Sequence, residues 1–379
     1  MNTQLRKLVL VFALVILSSE SRAVFILAPV GHQEAFMANT GVAMDDSPAA
    51  GLYNPAGLGF STSKDLKLSL SGNAIEQQNF SSGMQDDTSG FSIRPMMASG
   101  IYPFFEGHAS VFVANPTSAW IEQNGNLSSG GVPYSLRLNM HTDTLLLGLS
   151  YGQKITPNLS WGLSVGGNYQ TQKVYTYLAY SNSTFAGTSY QQSLAKSLSA
   201  MLIPGVTWQP TDYWNLGLSV VWLPFKIASE GKFYSASTLS SAPTTVTESS
   251  STFDPYGQRG PMVTFGQEFK FGIQSVFVDL TYQGQSDSVG SDGTVSKGSD
   301  GASYSIGWRG GYSSIQPLAG FSYGHGSDED DYLISAGINW KRKNSDFLVG
   351  VYYQDHVPLD ASGWKLSSYG VMFSTNVAY

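Results

Sequence analysis

The sequence predicts an all-β fold: a transmembrane antiparallel β-barrel of about 14 strands, preceded by an N-terminal segment of a different character. Three observations predict it. Segments of period two recur along the chain, apolar on one face and small or polar on the other. Charged residues are only 12% of the 379, about half the soluble norm, although hydrophobic residues are an ordinary 42%. Long and short connections take turns between the strands.

The composition carries the membrane argument. A soluble protein of this size covers its surface with Lys and Glu. This chain fills the gap with Ser, Thr, Asn, Gln and 41 Gly. One face in lipid and one polar, uncharged face fit that mix. A soluble β-sandwich also alternates, but its outward face would carry charge. The net charge of −7 argues against nucleic acid, which wants a basic footprint. The absence of Cys excludes disulfides, thiolate metal sites, Cys nucleophiles and a lipid anchor on an N-terminal Cys.

Residues 1–23 read as a secretory signal peptide. Arg6 and Lys7 precede an apolar run over 8–17, and Ser21 and Ala23 occupy the −3 and −1 positions of a cleavage site. A spanning helix needs about 20 apolar residues, roughly twice this run. The mature chain then begins at Val24, with a distinct segment over 24–63 and a barrel over 64–379.

The segment before the barrel has no sustained period of two. Ser47 followed by Pro48 is a helix start, a capping hydroxyl and then a residue with preset φ. The helix stops near Tyr53, because the residue before Pro55 is pushed out of helical space. Asn54 and Pro55 therefore end it, and Gly57 lets the chain turn again.

The barrel strands follow. The first three are expected over 65–73, 95–102 and 108–115. The fourth carries Leu145, Leu147, Leu149 and Tyr151 on one face, and the fifth Trp161, Leu163, Val165 and Tyr169. Strands six to eleven are expected over 197–208, 213–223, 261–271, 276–283, 304–312 and 316–325. The last three alternate around Ile334, Val349 and Val371, and the chain closes on aromatic Tyr379. Aromatics near the strand ends suit interfacial girdles. Long loops are expected over 74–94, 116–141, 173–196, 224–260 and 284–303. With the N-terminus in the periplasm they all fall outside, where such barrels carry their long loops.

Three stretches carry a family resemblance. "GVAMDDSPAAGLYNPAGL" resembles the N-terminal signature of the FadL/TodX family, outer-membrane transporters of long-chain fatty acids and other hydrophobic compounds. "IPGVTWQPTDYWNLGLSV" is similar to that family's strand–"QPTD"–strand hairpin, and "GPMVTFGQEFKF" to one of its later strands. The resemblance implies a 14-stranded barrel plugged by an N-terminal hatch inside its lumen, which would be residues 24–63. It implies that Asn54, Pro55, Ala56 and Gly57 form the hatch motif beside a kinked third strand that opens the wall sideways. Pro116 either disturbs that wall, since Pro cannot donate to the ladder, or starts the outer loop.

Little else promises chemistry. No two of His32, His108, His141, His325 and His356 have a metal-binding spacing. A phospholipase would need a Ser–His pair, for which only His141 beside the fourth strand offers a start. Asp328–Asp331 either bind a cation through carboxylates or form a solvated tip. Alternation puts Glu268, Lys270, Asp279 and Arg309 inside the barrel; Arg309 either meets a ligand carboxylate or neutralises its neighbours. The resemblance thus implies a non-enzymatic outer-membrane channel without cofactor. It would take up hydrophobic small molecules or fatty acids passively, by loop capture, hatch movement and lateral release. A docking platform for secreted proteins and a general porin are the alternatives. Expected partners are outer-membrane lipid, lipopolysaccharide and the barrel assembly machinery, for a monomer in the bacterial cell outer membrane.

Overall fold

The computed structural model describes residues 29–379 except 63, 82–87, 130–131, 182–185, 224, 241–244, 257–259, 290–294, 299, 312–313, 327–328 and 359–364. The expected signal peptide, the first residues of the expected hatch, and Asp328 lie outside the described residues.

The strands are β1 (Lys67–Ser81), β2 (Thr88–Phe104), β3 (Gly107–Ser129), β4 (Val132–Thr156), β5 (Leu159–Ser181), β6 (Ala186–Thr211), β7 (Trp214–Val221), β8 (Lys226–Ser240) and β9 (Thr245–Phe253). They continue with β10 (Met262–Phe271), β11 (Gln274–Gln283), β12 (Asp287–Val289), β13 (Val295–Lys297), β14 (Gly301–Arg309), β15 (Ile315–Gly326), β16 (Glu329–Lys341), β17 (Ser345–Pro358) and β18 (Lys365–Ala378). Fourteen of them close a ring: β1 to β7, β10, β11 and β14 to β18. Every pairing is antiparallel, and β1 meets β18 from Lys67↔Ala378 upward, so the fourteen strands close on themselves, while β9 lies at the open end of the β6–β8–β9 extension. The predicted barrel and its strand number are borne out.

Alternation sorts the side chains as the sequence predicts. Leu145, Leu147 and Leu149 of β4 are exposed on the outside, as are Trp161, Leu163 and Val165 of β5. Their neighbours Leu146, Ser150, Ser160 and Ser164 are buried on the inside. An apolar exterior on a closed ring lets the paired ladder groups be satisfied internally, which is what hydrocarbon surroundings require.

Several expected loops are strand instead. The pairing of β3 with β4 runs on to Ser129↔Val132, and that of β5 with β6 to Ser181↔Ala186, through the stretches 116–141 and 173–196. The apolar/polar contrast fades there because both faces leave the lipid, yet backbone pairing does not need it. The stretch 224–260 holds the hairpin β8–β9, which pairs with the upper half of β6, and 284–303 holds the small pair β12–β13. Glu329, Asp330 and Asp331 likewise belong to β16, not to a loop tip; Asp331 is buried and Asp330 accepts from Tyr323 Oη at 3.1 Å.

Before β1, residues 29–62 form two 3-10 turns (Glu34–Met37 and Pro55–Phe60) and one helical turn, α1 (Ala50–Tyr53). The helix starts two residues later than Ser47-Pro48 suggests: its N-cap is Ala49, which has no side-chain cap, and Ser47 Oγ instead accepts from the Ala49 amide at 3.0 Å in the turn before it. Asn54 has a wider part than ending the helix. It is extended (φ −158°), and its side chain accepts from the amide of Ala56 to cap the second 3-10 turn, with Pro55 at its first position.

Candidate functional site

The Asn-Pro-Ala-Gly element is anchored by one buried side chain. Asn54 is 1% exposed, and its Nδ2 donates to Val42 O at 2.8 Å, Val206 O at 3.1 Å and Thr207 Oγ1 at 3.0 Å. Ser160 Oγ donates to Ala56 O at 2.7 Å. Glycines on the wall make room. A Cβ on Gly205 would lie 2.0 Å from Asn54 Oδ1, and one on Gly162 would lie 2.3 Å from Pro55 C. Gly57 in turn lies against Met44 O, 2.8 Å from where its Cβ would be.

The same segment reaches inward-facing residues on many strands. Ala38 N donates to Ser335 Oγ of β16 at 2.7 Å, and Ser164 Oγ of β5 donates to Gly51 O at 2.6 Å. Gly41 N and Val42 N both donate to Asp279 Oδ2 of β11, at 2.9 and 3.2 Å. His32 places Nδ1 2.7 Å from Ser374 Oγ of β18 and Nε2 3.0 Å from Asp346 of β17. These backbone-to-wall bonds, and buried Glu34 accepting from Ser47, were not legible in the sequence; each joins residues far apart in the chain.

Three of the four inward charges come together. Glu268 is 0% exposed; Arg309 donates to its Oε1 at 2.9 Å, Asn215 to its Oε2 at 2.8 Å, and Lys270 Nζ stands 3.8 Å away. Arg309 also donates to Gln33 at 3.1 Å, and Lys270 pairs with Asp45 at 3.0 Å. Asp279 stands apart, serving the amides of Gly41 and Val42. The charges thus bind one another and residues 33–45. Among the described residues, no group of His, Asp or Glu is placed to hold a metal ion.

Above α1 lies an apolar cluster. Val30, Ala49 and Leu52 meet Met96 and Met97 of β2, Phe112 and Ala114 of β3, Leu146 of β4, and Met201 and Ile203 of β6. The wall changes beside this cluster. The β2–β3 ladder ends at Met97↔Ala114 among the described residues, although β2 and β3 both continue. Above that rung β2 pairs with β1 and β3 pairs with β4. Continuing the register would set Pro95 directly opposite Pro116 (97 and 114, then 95 and 116). Neither proline has an amide to donate, so a rung there has no N–H from either side. Irregularities coincide with it. The β3–β4 register shifts between Ala114 and Thr117, and the β1–β2 register between Ser71 and Gly72, opposite Met97 and Pro95. Pro116 could be suspected from the sequence; Pro95 could not, because its partner is set by register alone.

The class is therefore a fourteen-stranded transmembrane β-barrel whose wall loses one seam beside an apolar lumenal cluster. No family model and no curated protein sequence matches the chain. Solved structures do. The toluene transporter TbuX of Ralstonia pickettii matches with a TM-score of 0.66 at 16% identity, over 94% of this chain and 100% of its own. The CymD monoaromatic hydrocarbon channel gives 0.66 at 14%, over 94% and 99%. The P. putida toluene transporter TodX gives 0.62 at 15%, over 93% and 99%. The resemblance to the FadL/TodX family seen in the sequence is borne out as a likeness of fold, and the structures it reaches are channels and transporters.

One prediction follows from the anchor. Gly205→Val must displace Asn54, since even the first added carbon meets its Oδ1 at 2.0 Å. The barrel should still insert, because position 205 keeps its β5 and β7 pairings. Single-channel conductance in planar bilayers should rise several-fold over the wild type. Unchanged conductance would show that the anchor does not govern passage.

Proposed function

We propose that this protein is an outer-membrane channel for the passive uptake of small hydrophobic compounds. Residues 29–62 act in it as a hatch, and release is sideways through the β2–β3 seam. The observation that carries the reading is the juxtaposition of the Met97–Ala114 rung, where the ladder ends, with the apolar cluster of which both residues are members. A solute leaving between β2 and β3 passes from apolar side chains into lipid without crossing water. Met96, Met97 and Met201 are flexible and polarisable, the kind of side chain that repacks around a guest. The fold shared with hydrocarbon channels supports the same class of cargo.

The lining favours an uncharged solute over a fatty acid. A carboxylate needs a cation or donors when it leaves water. The cluster's buried side chains carry no charge, Tyr53 packs against them, and Arg309 and Lys270 are held by Glu268 and Asp45. The test is uptake of radiolabelled toluene and of a long-chain fatty acid by cells with and without the protein. Faster toluene entry with unchanged fatty-acid entry supports the reading; no change in either overturns it. Asn54→Ala, which removes the bonds to Val42, Val206 and Thr207, should leave a folded barrel and cut uptake about tenfold. Wild-type uptake in that variant and in Pro55→Ala would reduce the motif to a turn.

A further inference from the structure

We infer that the outward face of the β5–β6–β8 extension is a binding site for the phosphorylated saccharide headgroup of an outer-leaflet glycolipid. The reasoning starts from height. About ten tilted strand residues cross the apolar band of an outer-membrane barrel, roughly 25 Å tall. Trp161 of β5 and Trp208 of β6 are exposed near the short-turn end and mark one edge of that band. Ten positions along, β5 has reached Thr171 and β6 has reached Leu198. The next outward positions are Lys173 and Lys196.

Register puts a third lysine with them. Lys173 is opposite Leu194, and Leu194 is opposite Lys232 of β8. Lys196 is opposite Glu230 and lies two residues from Leu194 on the same face. Neighbouring strands are about 4.8 Å apart, so Lys173 and Lys232 stand about 10 Å apart with Lys196 on the diagonal between them. All three are exposed. Glu230 pairs with Lys232 at 2.7 Å, and His141 on β4, opposite Lys173, pairs with Asp143 at 2.8 Å. The three lysines outnumber the two neighbouring carboxylates, Glu230 and Asp143, in a chain whose net charge is −7.

The patch is also shaped. An open groove of about 640 Å³ lies between β6, β8 and β9, lined by Gln192, Leu194, Lys232, Tyr234, Ser250 and Thr252. Tyr190 and Tyr234 flank it with ring centroids 6.1 Å apart. Sugars present apolar faces and hydroxyl edges, which suit tyrosine rings, glutamine and serine. Phosphates suit the lysines as point charges. Leu198, one outward position below Lys196, then meets the first carbons of the acyl chains. An anionic lipid without a saccharide would leave the groove unused, so the glycolipid is the occupant the groove and the charge select together.

The experiment uses the full-length protein in detergent and native mass spectrometry. Bisphosphorylated lipid A should be retained. Its enzymatically dephosphorylated form and phosphatidylglycerol should each be retained at least tenfold less. Lys173→Gln, Lys196→Gln and Lys232→Gln combined should lose lipid A retention to the same extent, and the corresponding triple Arg variant should keep it. Heat-modifiable migration of both triple variants checks that the barrel has closed. Equal retention by the Gln variant, or of the dephosphorylated lipid by the wild type, would overturn the site. So would phosphatidylglycerol binding as well as lipid A, because the groove would then contribute nothing.

Discussion

Cells carrying Pro95→Cys with Pro116→Cys are expected to stop taking up hydrocarbon on oxidation and to recover it on reduction. Directly opposite residues of an antiparallel pair have Cα atoms about 4.5–5.5 Å apart, within the range a disulfide spans. Positions 95 and 116 are opposite only if the β2–β3 register continues past Met97↔Ala114. The cross-link therefore captures the seam when it is shut. The chain has no Cys of its own, so the added pair reacts only with each other. Uptake in the oxidised state should fall at least tenfold, and recovery on reduction separates a shut wall from a failed fold. A companion variant, Pro95→Thr with Pro116→Thr, returns two amides to the seam and should slow uptake in the same direction without any cross-link. If the oxidised protein is fully cross-linked on a gel and transports at the wild-type rate, solute does not leave through this seam.

The contrast between the two prolines shows where sequence reasoning stops. The ring was legible because alternation, low charge and short turns are local signals, repeated until they count strands. Leu145, Leu147 and Leu149 announce their face without help from any other residue. The extra hairpin β8–β9 was not legible, since Ser- and Thr-rich strands outside the lipid have no apolar face to advertise. The candidate site was legible only where it sits in one stretch. Asn54 and Pro55 could be read as a break in a helix, but the bonds from Asn54 to Val206 and Thr207 cross some 150 residues. Pro95 and Pro116 are each an ordinary strand proline until the β2–β3 register is known, whose continuation past Met97↔Ala114 would set them face to face. Glu268, Lys270 and Arg309 were found by parity alone; that Asp45 and Gln33 share their network depends on how residues 29–62 fold back.

That network sets the last expected result. Arg309→Ala should destabilise the barrel by about 3 kcal/mol, the low end of the cost of stripping one partner from a buried ion pair. Glu268 would remain fully buried with its Oε1 deprived of the 2.9 Å donor. Asn215 still serves Oε2 at 2.8 Å, and Lys270 at 3.8 Å still neutralises part of the charge, which keeps the loss from being larger. Three further contacts go with the guanidinium: the bond to Gln33 at 3.1 Å, which ties the N-terminal segment to β14, the bond to Ser275 Oγ at 3.2 Å, and the approach to the Phe277 ring at 5.2 Å. Urea unfolding of the refolded protein in detergent micelles reads the difference. Glu268→Gln with Arg309→Met should recover most of the loss, because Gln still accepts from Asn215 and no charge is left alone. If Arg309→Ala and the double variant unfold together with the wild type, the cluster contributes nothing measurable to stability. Its inward charges would then be free to serve the solute path, and the preference for an uncharged solute would lose its electrostatic ground.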